Sequence, residues 1–145
     1  MYTLLKRDRP QHHRFLLDCR PRNAGTIRNH SALPNIAEGI EFVPATPLWN
    51  KIDLTDGYYN IRIEPECEKH ITFLCHIVHH RSRVMQRGDC NAPATIVRAM
   101  NEIFVDMILQ QVIIYIDDMI ISSRNYKQHI AGSRKVLQHL QDQEF

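Results

Sequence analysis

Apolar positions in this chain fall into short blocks whose spacing changes along its length. Residues 14–17, Arg14-Phe15-Leu16-Leu17, read as a brief strand after a basic stretch. Residues 21–33 hold Pro21, Asn23 and Gly25 and read as loop, and 33–42 as a short helix weakened by Gly39. Pro44 and Pro47 then break the chain, and 48–54 predicts a strand that ends at Asp53. After the turn Thr55-Asp56-Gly57, Ile61-Arg62-Ile63 alternates and 71–78 returns as its antiparallel hairpin partner.

The second half is more regular. Ile96, Met100, Ile103 and Met107 recur at helical spacing with Val97, Phe104 and Ile108, predicting the buried face of a helix to about residue 109. Asn91 is placed to cap it, with Pro93 in the first turn, where a missing N–H costs nothing. Two β-branched-rich strands, 112–116 and 119–121, flank Asp117-Asp118 and predict a tight hairpin with the acidic pair at or near its turn. From Tyr126 a last amphipathic helix puts Ile130, Leu137 and Leu140 on one face. Strand, hairpin, helix, hairpin, helix is an α+β order, with helices on one face of an antiparallel sheet. At 145 residues it makes one domain with a core of its own.

Composition narrows the classes. No apolar run approaches the roughly 18 residues of a membrane span. The N-terminal apolar stretch is too short for a signal peptide, so an intracellular, non-secreted protein is expected. The formal charge of +2 hides an asymmetry: residues 1–30 sum to +5 and the rest to −3. Such a chain suits a protein that grips phosphates at one end and gathers cations at the other. The four cysteines include no CxxC pair. Cys67, His70, Cys75 and His79 have spacings a zinc knuckle could use, but Thr72-Phe73-Leu74 between them reads as strand.

Asp117-Asp118 needs explaining. Two carboxylates between apolar strands repel each other and lose hydration unless positive charge is near. No Lys or Arg lies within 112–123 to supply it, whereas divalent cations would. A polar, water-exposed turn is the plainer alternative. Asp53 shifts the balance, because it also ends an apolar strand at a turn. Strand ends that deliver three carboxylates to one edge suit two-metal phosphoryl transfer.

Four segments now carry a resemblance. Lys51-Ile52-Asp53-Leu54-Thr55-Asp56-Gly57-Tyr58 resembles the first catalytic motif of reverse transcriptases, and Tyr115-Ile116-Asp117-Asp118 their YxDD box. Met85-Gln86-Arg87-Gly88-Asp89-Cys90-Asn91-Ala92-Pro93-Ala94-Thr95 is similar to the motif between these two. Arg14-Phe15-Leu16-Leu17-Asp18-Cys19-Arg20-Pro21-Arg22-Asn23 resembles a fingers segment. Leu33-Pro34 and Asn91-Ala92-Pro93 point to the Ty3/gypsy class of LTR retrotransposons.

The resemblance implies a polymerase palm with partial fingers and no thumb. Fingers would be about 1–28 and 64–86, and palm about 29–63 and 87–145. It implies Asp53, Asp117 and Asp118 as catalytic ligands of two Mg²⁺ ions, Mn²⁺ able to substitute, with the Leu54 carbonyl added. Arg14, Asp56, Gly57, Tyr58, Arg87 and Gly88 would bind the dNTP, Tyr58 as the gate against a ribose 2′-OH. Tyr115, Asn91 and Pro93 would meet primer or template. The implied partners are an RNA or DNA template with primer, dNTPs, and the rest of a Pol polyprotein (thumb, RNase H, integrase), with no membrane. The implied location is the cytoplasm, in a virus-like particle, or the nucleus.

Several positions depart from the pattern. Arg87 stands where Phe or Gln is usual, Cys19 where an aromatic is usual, and Arg22 where Leu is usual. Cys19 and Arg22 are expected to loosen the fingers packing, and 8–13 lacks a fingertip glycine. The alternative to an active polymerase is a non-catalytic or domesticated remnant that folds or binds nucleic acid without polymerising.

Overall fold

Two antiparallel strands join the regions that carry the acidic residues. A computed structural model describes the backbone of residues 2–6, 9–29, 39–41, 46–108 and 110–145, with side chains from Leu16 onward. The chain forms two units, Met1–Asn29 with Tyr58–Ala92, and His30–Gly57 with Pro93–Phe145.

In the second unit, strand β3 (Leu48–Asp53) pairs with β7 (Asp118–Ser123), which pairs in turn with β6 (Val112–Tyr115). All pairings are antiparallel, so the sheet order is β3-β7-β6. Helix α3 (Ala92–Ile103) buries Ile96, Val97 and Met100, and the following turns bury Phe104 and Met107. These are the expected core positions. The helix is shorter than expected, because the Met107 carbonyl takes the amides of Gln110, Gln111 and Val112 and turns the chain into β6. Helix α4 (Tyr126–Asp142) is capped by Asn125, whose side chain accepts the Gln128 amide, and packs on β7.

One expectation for α4 fails. Ile130 and Leu137 are exposed, and the buried stripe is Gly132, Val136 and Leu140. The small Gly132 lets the helix approach closely, since a Cβ there would lie 3.0 Å from Gln111 Oε1 and 3.9 Å from Ile121 Cγ2. Hydropathy picked out the large side chains, but proximity to the sheet selected a glycine-centred face. Fully burying a Val, Leu or Phe side chain is worth about 1.5–3 kcal/mol. Exposed ion pairs are worth about 1 kcal/mol or less. Phe104, Met119, Ile121 and Val136, all buried, therefore hold the sheet edge in place.

The first unit has less apolar burial and more side-chain bonding to backbone. Strands β1 (Tyr2–Lys6) and β2 (Arg9–Leu16) form a hairpin longer than the strand expected at 14–17. The segment expected as loop contains helix α1 (Arg20–Gly25), with Pro21 in its first turn, where its fixed φ favours the helix. A short helix, α2 (Gly57–Asn60), follows the Thr55-Asp56 turn, and a 3₁₀ helix spans Pro65–Ile71. The expected pairing of 61–63 with 71–78 does not form. Instead β4 (Thr72–Cys75) pairs with β5 (Val78–Arg81) around a turn in which His76 has φ 54°, while Arg62 bridges Val84. The short helix expected over 33–42 lies largely outside the described residues, of which 39–41 are helical.

Candidate active site

The register of β3 and β7 places Asp53 directly opposite Asp118. Tyr115 is opposite Asp118 on the other side, so Ile116 and Asp117 form the two-residue turn between β6 and β7. Ile116 adopts φ 58°, the left-handed region that two-residue hairpins require. A β-branched residue is strained there. The Leu54 amide donates to the Asp117 carbonyl at 3.2 Å, extending the ladder one step past Asp53. Leu54 itself is buried. The fold thus brings Asp53, Asp117 and Asp118 to one edge, with Asp53 exposed and the others half-buried.

The positive charge that 112–123 lacks comes from the neighbouring strand. Lys51 Nζ lies 2.7 Å from Asp118 Oδ2. That hydrogen bond, with the charges of Asp118, Asp53 and Asp117, raises the Lys51 pKa above its usual value. Sequence reading missed this residue, although its signal was present: Lys51 sits two positions before Asp53, on the same face of an alternating strand.

Among the described residues, no three His, Cys, Asp or Glu side chains are gathered tightly enough to enclose a metal ion. This holds for Cys67, His70, Cys75 and His79 as well as for the aspartates. Mg²⁺, however, takes one or two carboxylates and completes its shell with water and phosphate oxygens. An open edge of hard oxygen donors, already facing a cationic ammonium, fits that habit.

Around the aspartates, Gly57 is buried, and a Cβ on it would meet Leu54 Cβ at 3.1 Å and Ile96 Cδ1 at 3.4 Å. A side chain at this position would therefore require Leu54 to shift. Asp56 has φ 55° in the preceding turn. Pro93 stands in the first turn of α3.

The remaining sequence-selected residues belong to the first unit. The Arg87 guanidinium carbon lies 5.9 Å from the Tyr58 ring centre and 5.5 Å from that of Tyr59, within cation–π range of both. A Cβ on Gly88 would sit 3.1 Å from Cys19 Sγ, so a side chain there would require Cys19 to shift. Its carbonyl accepts Asn23 Nδ2 at 2.8 Å. Asn91 directs its amide to backbone: Nδ2 donates to the Ile27 carbonyl at 2.9 Å, and Oδ1 accepts the Asn29 amide at 2.8 Å. Arg14 lies opposite Leu4 in the β1–β2 hairpin, and its side chain is outside the described residues.

Cys19 and Arg22 do not leave a loose region. Arg22 forms a half-buried ion pair with Asp89, and the same guanidinium approaches Cys19 Sγ at 3.4 Å. Asp89 was not singled out by sequence, because only the fold brings it to Arg22. Nearby, Asp18 receives Arg20 Nε at 2.8 Å, Arg20 Nη2 at 2.6 Å and the Arg20 amide at 3.1 Å. The side-chain bond from Arg20 leads in holding the Asp18 carboxyl down at about 2. A cavity of about 450 Å³ opens beside this clamp, bordered by Leu17, Asp18, Arg20, Tyr59, Arg87 and Gly88.

This fold is that of solved reverse transcriptases. A foamy viral protease–reverse transcriptase in complex with double-stranded DNA superposes with a TM-score of 0.85 at 19% identity, over 97% of this chain and 24% of that one. The native prototype foamy virus protease–reverse transcriptase gives 0.83 at 22% identity, over 97% of this chain and 18% of that one. The family model of reverse transcriptase (RNA-dependent DNA polymerase) matches residues 4–145, and the chain belongs to that family. Its relatives include the retrovirus-related Pol polyprotein from transposon 297 of Drosophila melanogaster, 29% identical over 90% of this chain. Another is the Tf2-3 transposon polyprotein of Schizosaccharomyces pombe, 28% identical over 89% of it. These relatives are of the Ty3/gypsy type. The chain spans 12% and 10% of their lengths. An RNA-directed DNA polymerase homolog of Oenothera berteroana is 29% identical over 85% of this chain, which spans 89% of that protein.

Proposed function

We propose that this chain is the fingers–palm portion of an RNA-directed DNA polymerase that joins a dNTP to a primer 3′-OH. The observation that carries the reading is Asp53 facing Asp118 across two paired strands, with Asp117 in the adjoining turn. In this reading Asp53, Asp117, Asp118 and the Leu54 carbonyl hold two Mg²⁺ ions, for which Mn²⁺ can substitute. Ions held there would supply positive charge that favours deprotonation of the attacking hydroxyl and steadies the leaving pyrophosphate.

The chain's own residues orient the reactants. Asp56 and Gly57 offer turn amides to the triphosphate. Tyr58 excludes a ribose 2′-OH, and its contact with Arg87 supports that role by holding the ring. Arg87, Gly88 and Arg14 complete the dNTP contacts, while Tyr115, Asn91 and Pro93 face primer or template. Fingers comprise about residues 1–28 and 64–86, and palm about 29–63 and 87–145. The basic N-terminal segment suits binding to phosphate backbones, with an affinity that falls as salt rises. Thumb, RNase H and integrase segments of a Pol polyprotein are the proposed partners, in the cytoplasm or nucleus. Among the described residues no helix is long and apolar enough to cross a membrane.

Primer extension on an RNA template with Mg²⁺ or Mn²⁺ tests the reading, comparing this chain with Asp117→Asn. Weak, non-processive extension that the substitution abolishes is expected. Equal extension by both chains would overturn the site, and none from either would favour the non-catalytic remnant.

A further inference from the structure

The acidic edge carries its own cation. Lys51 and Asp53 lie two residues apart on β3 and project from the same face. The register sets Asp53 opposite Asp118 and Lys51 opposite Ile120. Since Ile120 offers the ammonium no acceptor, the diagonal neighbour Asp118 receives it, at 2.7 Å. Among the described residues, Lys51 is the one cation in an ion pair with any of the three aspartates. Its side chain is 60% exposed and that of Asp118 31%. The ammonium can therefore leave the carboxylate for water without unpacking anything.

We propose that Lys51 is a resident counter-ion of the metal-binding carboxylates, occupying Asp118 when no divalent cation is bound and displaced when one enters. The inference rests on the metal-binding reading of Asp53, Asp117 and Asp118. Without bound metal, strand pairing forces two like charges into opposition, which is unfavourable. Lys51 neutralises one of them while β3 and β7 pair. A divalent cation brings twice the charge and can bridge several carboxylates, whereas the ammonium satisfies one. Lys51 thus raises the metal concentration at which the edge loads, and keeps the unloaded edge folded.

Mn²⁺ binding to the full chain, measured by electron paramagnetic resonance without nucleotide or nucleic acid, provides the test. Lys51→Met should bind Mn²⁺ about two- to fivefold more tightly than the parent, the range of an exposed ion pair. Lys51→Arg, which keeps the charge, should match the parent. In EDTA, Lys51→Met should melt at a lower temperature than the parent, and Mg²⁺ should raise its midpoint by more. Equal or weaker Mn²⁺ affinity in Lys51→Met would overturn the counter-ion role. Asp118→Asn tests the underlying reading separately. If it binds Mn²⁺ as the parent does, the metal site itself is wrong. If it loses Mn²⁺ while Lys51→Met changes nothing, only the counter-ion role falls. Absence of binding in every chain overturns both.

Discussion

Asp53 and Asp118 stand opposite each other across antiparallel strands β3 and β7, and the Leu54 amide fastens the next step of the ladder to the Asp117 carbonyl. Acidic groups meet here because the backbone pairs them, against their mutual repulsion. Apolar burial beneath the sheet overcomes that repulsion, with Met119 and Ile121 of β7 fully enclosed.

Relieving the opposition should stabilise the metal-free protein. Asp53→Asn is expected to raise the melting temperature in EDTA, by a stability gain of up to about 1 kcal/mol. The same variant should bind Mn²⁺ more weakly. A melting temperature below the parent's would show that the carboxylates do not repel in the folded state.

Strain at Ile116 should be removable. With φ 58°, this β-branched residue sits where Asn is far better tolerated. Ile116→Asn is expected to gain about 1 kcal/mol in urea unfolding. Loss of stability would mean that packing of the isoleucine side chain outweighs its backbone cost.

Gly57 should tolerate no branched side chain. A Cβ would already press on Leu54 Cβ at 3.1 Å, a group tied to the backbone beside Asp53. Gly57→Val is expected to cost about 1–3 kcal/mol by overpacking. Denaturant titration that returned the parent's midpoint would contradict this.

Arg22 and Asp89 should behave as a unit. Truncating either leaves a half-buried charge without its partner, at a cost of about 1–3 kcal/mol. Because Arg22→Met and Asp89→Asn remove the same interaction, the double variant should cost clearly less than the sum of the two. Additive losses in a double-mutant cycle would show that the pair is not coupled.

The Asp18–Arg20 clamp should be sensitive to acid. The folded carboxyl titrates at about 2, below its usual 3.8, so its stabilising contribution is complete above about 4. That contribution is lost as pH falls toward 2. The stability difference between the parent and Asp18→Asn should therefore shrink across that window. A difference that stayed constant to the lowest pH at which both fold would remove the clamp.

Local chemistry made much of the second unit legible. The Ile96–Met100–Phe104 stripe has the helical period, the β-branched strands around Asp117-Asp118 have no plausible helical reading, and an amphipathic pattern marks the last helix from Tyr126. Each of these signals acts over a few residues, so composition and spacing suffice to find it. The first unit was less legible for the same reason. Its organisation depends on contacts such as Asn23 with Gly88, Asn91 with Ile27, and Arg22 with Asp89, each spanning more than 60 residues. No local period announces such bonds, and spacing alone pairs 71–78 with 61–63, whereas Thr72–Cys75 turns back onto Val78–Arg81.

The sequence by itself determined the three carboxylates, the order of the motifs around them and the family they belong to, because those depend on residue type and spacing. Only the tertiary structure decided that Asp53 faces Asp118, that Gly132 rather than Ile130 lies against the sheet, and that the missing positive charge is Lys51. Strand register is a long-range choice made by burial and hydrogen bonding together, and it brings side chains from distant parts of the chain within reach of one another.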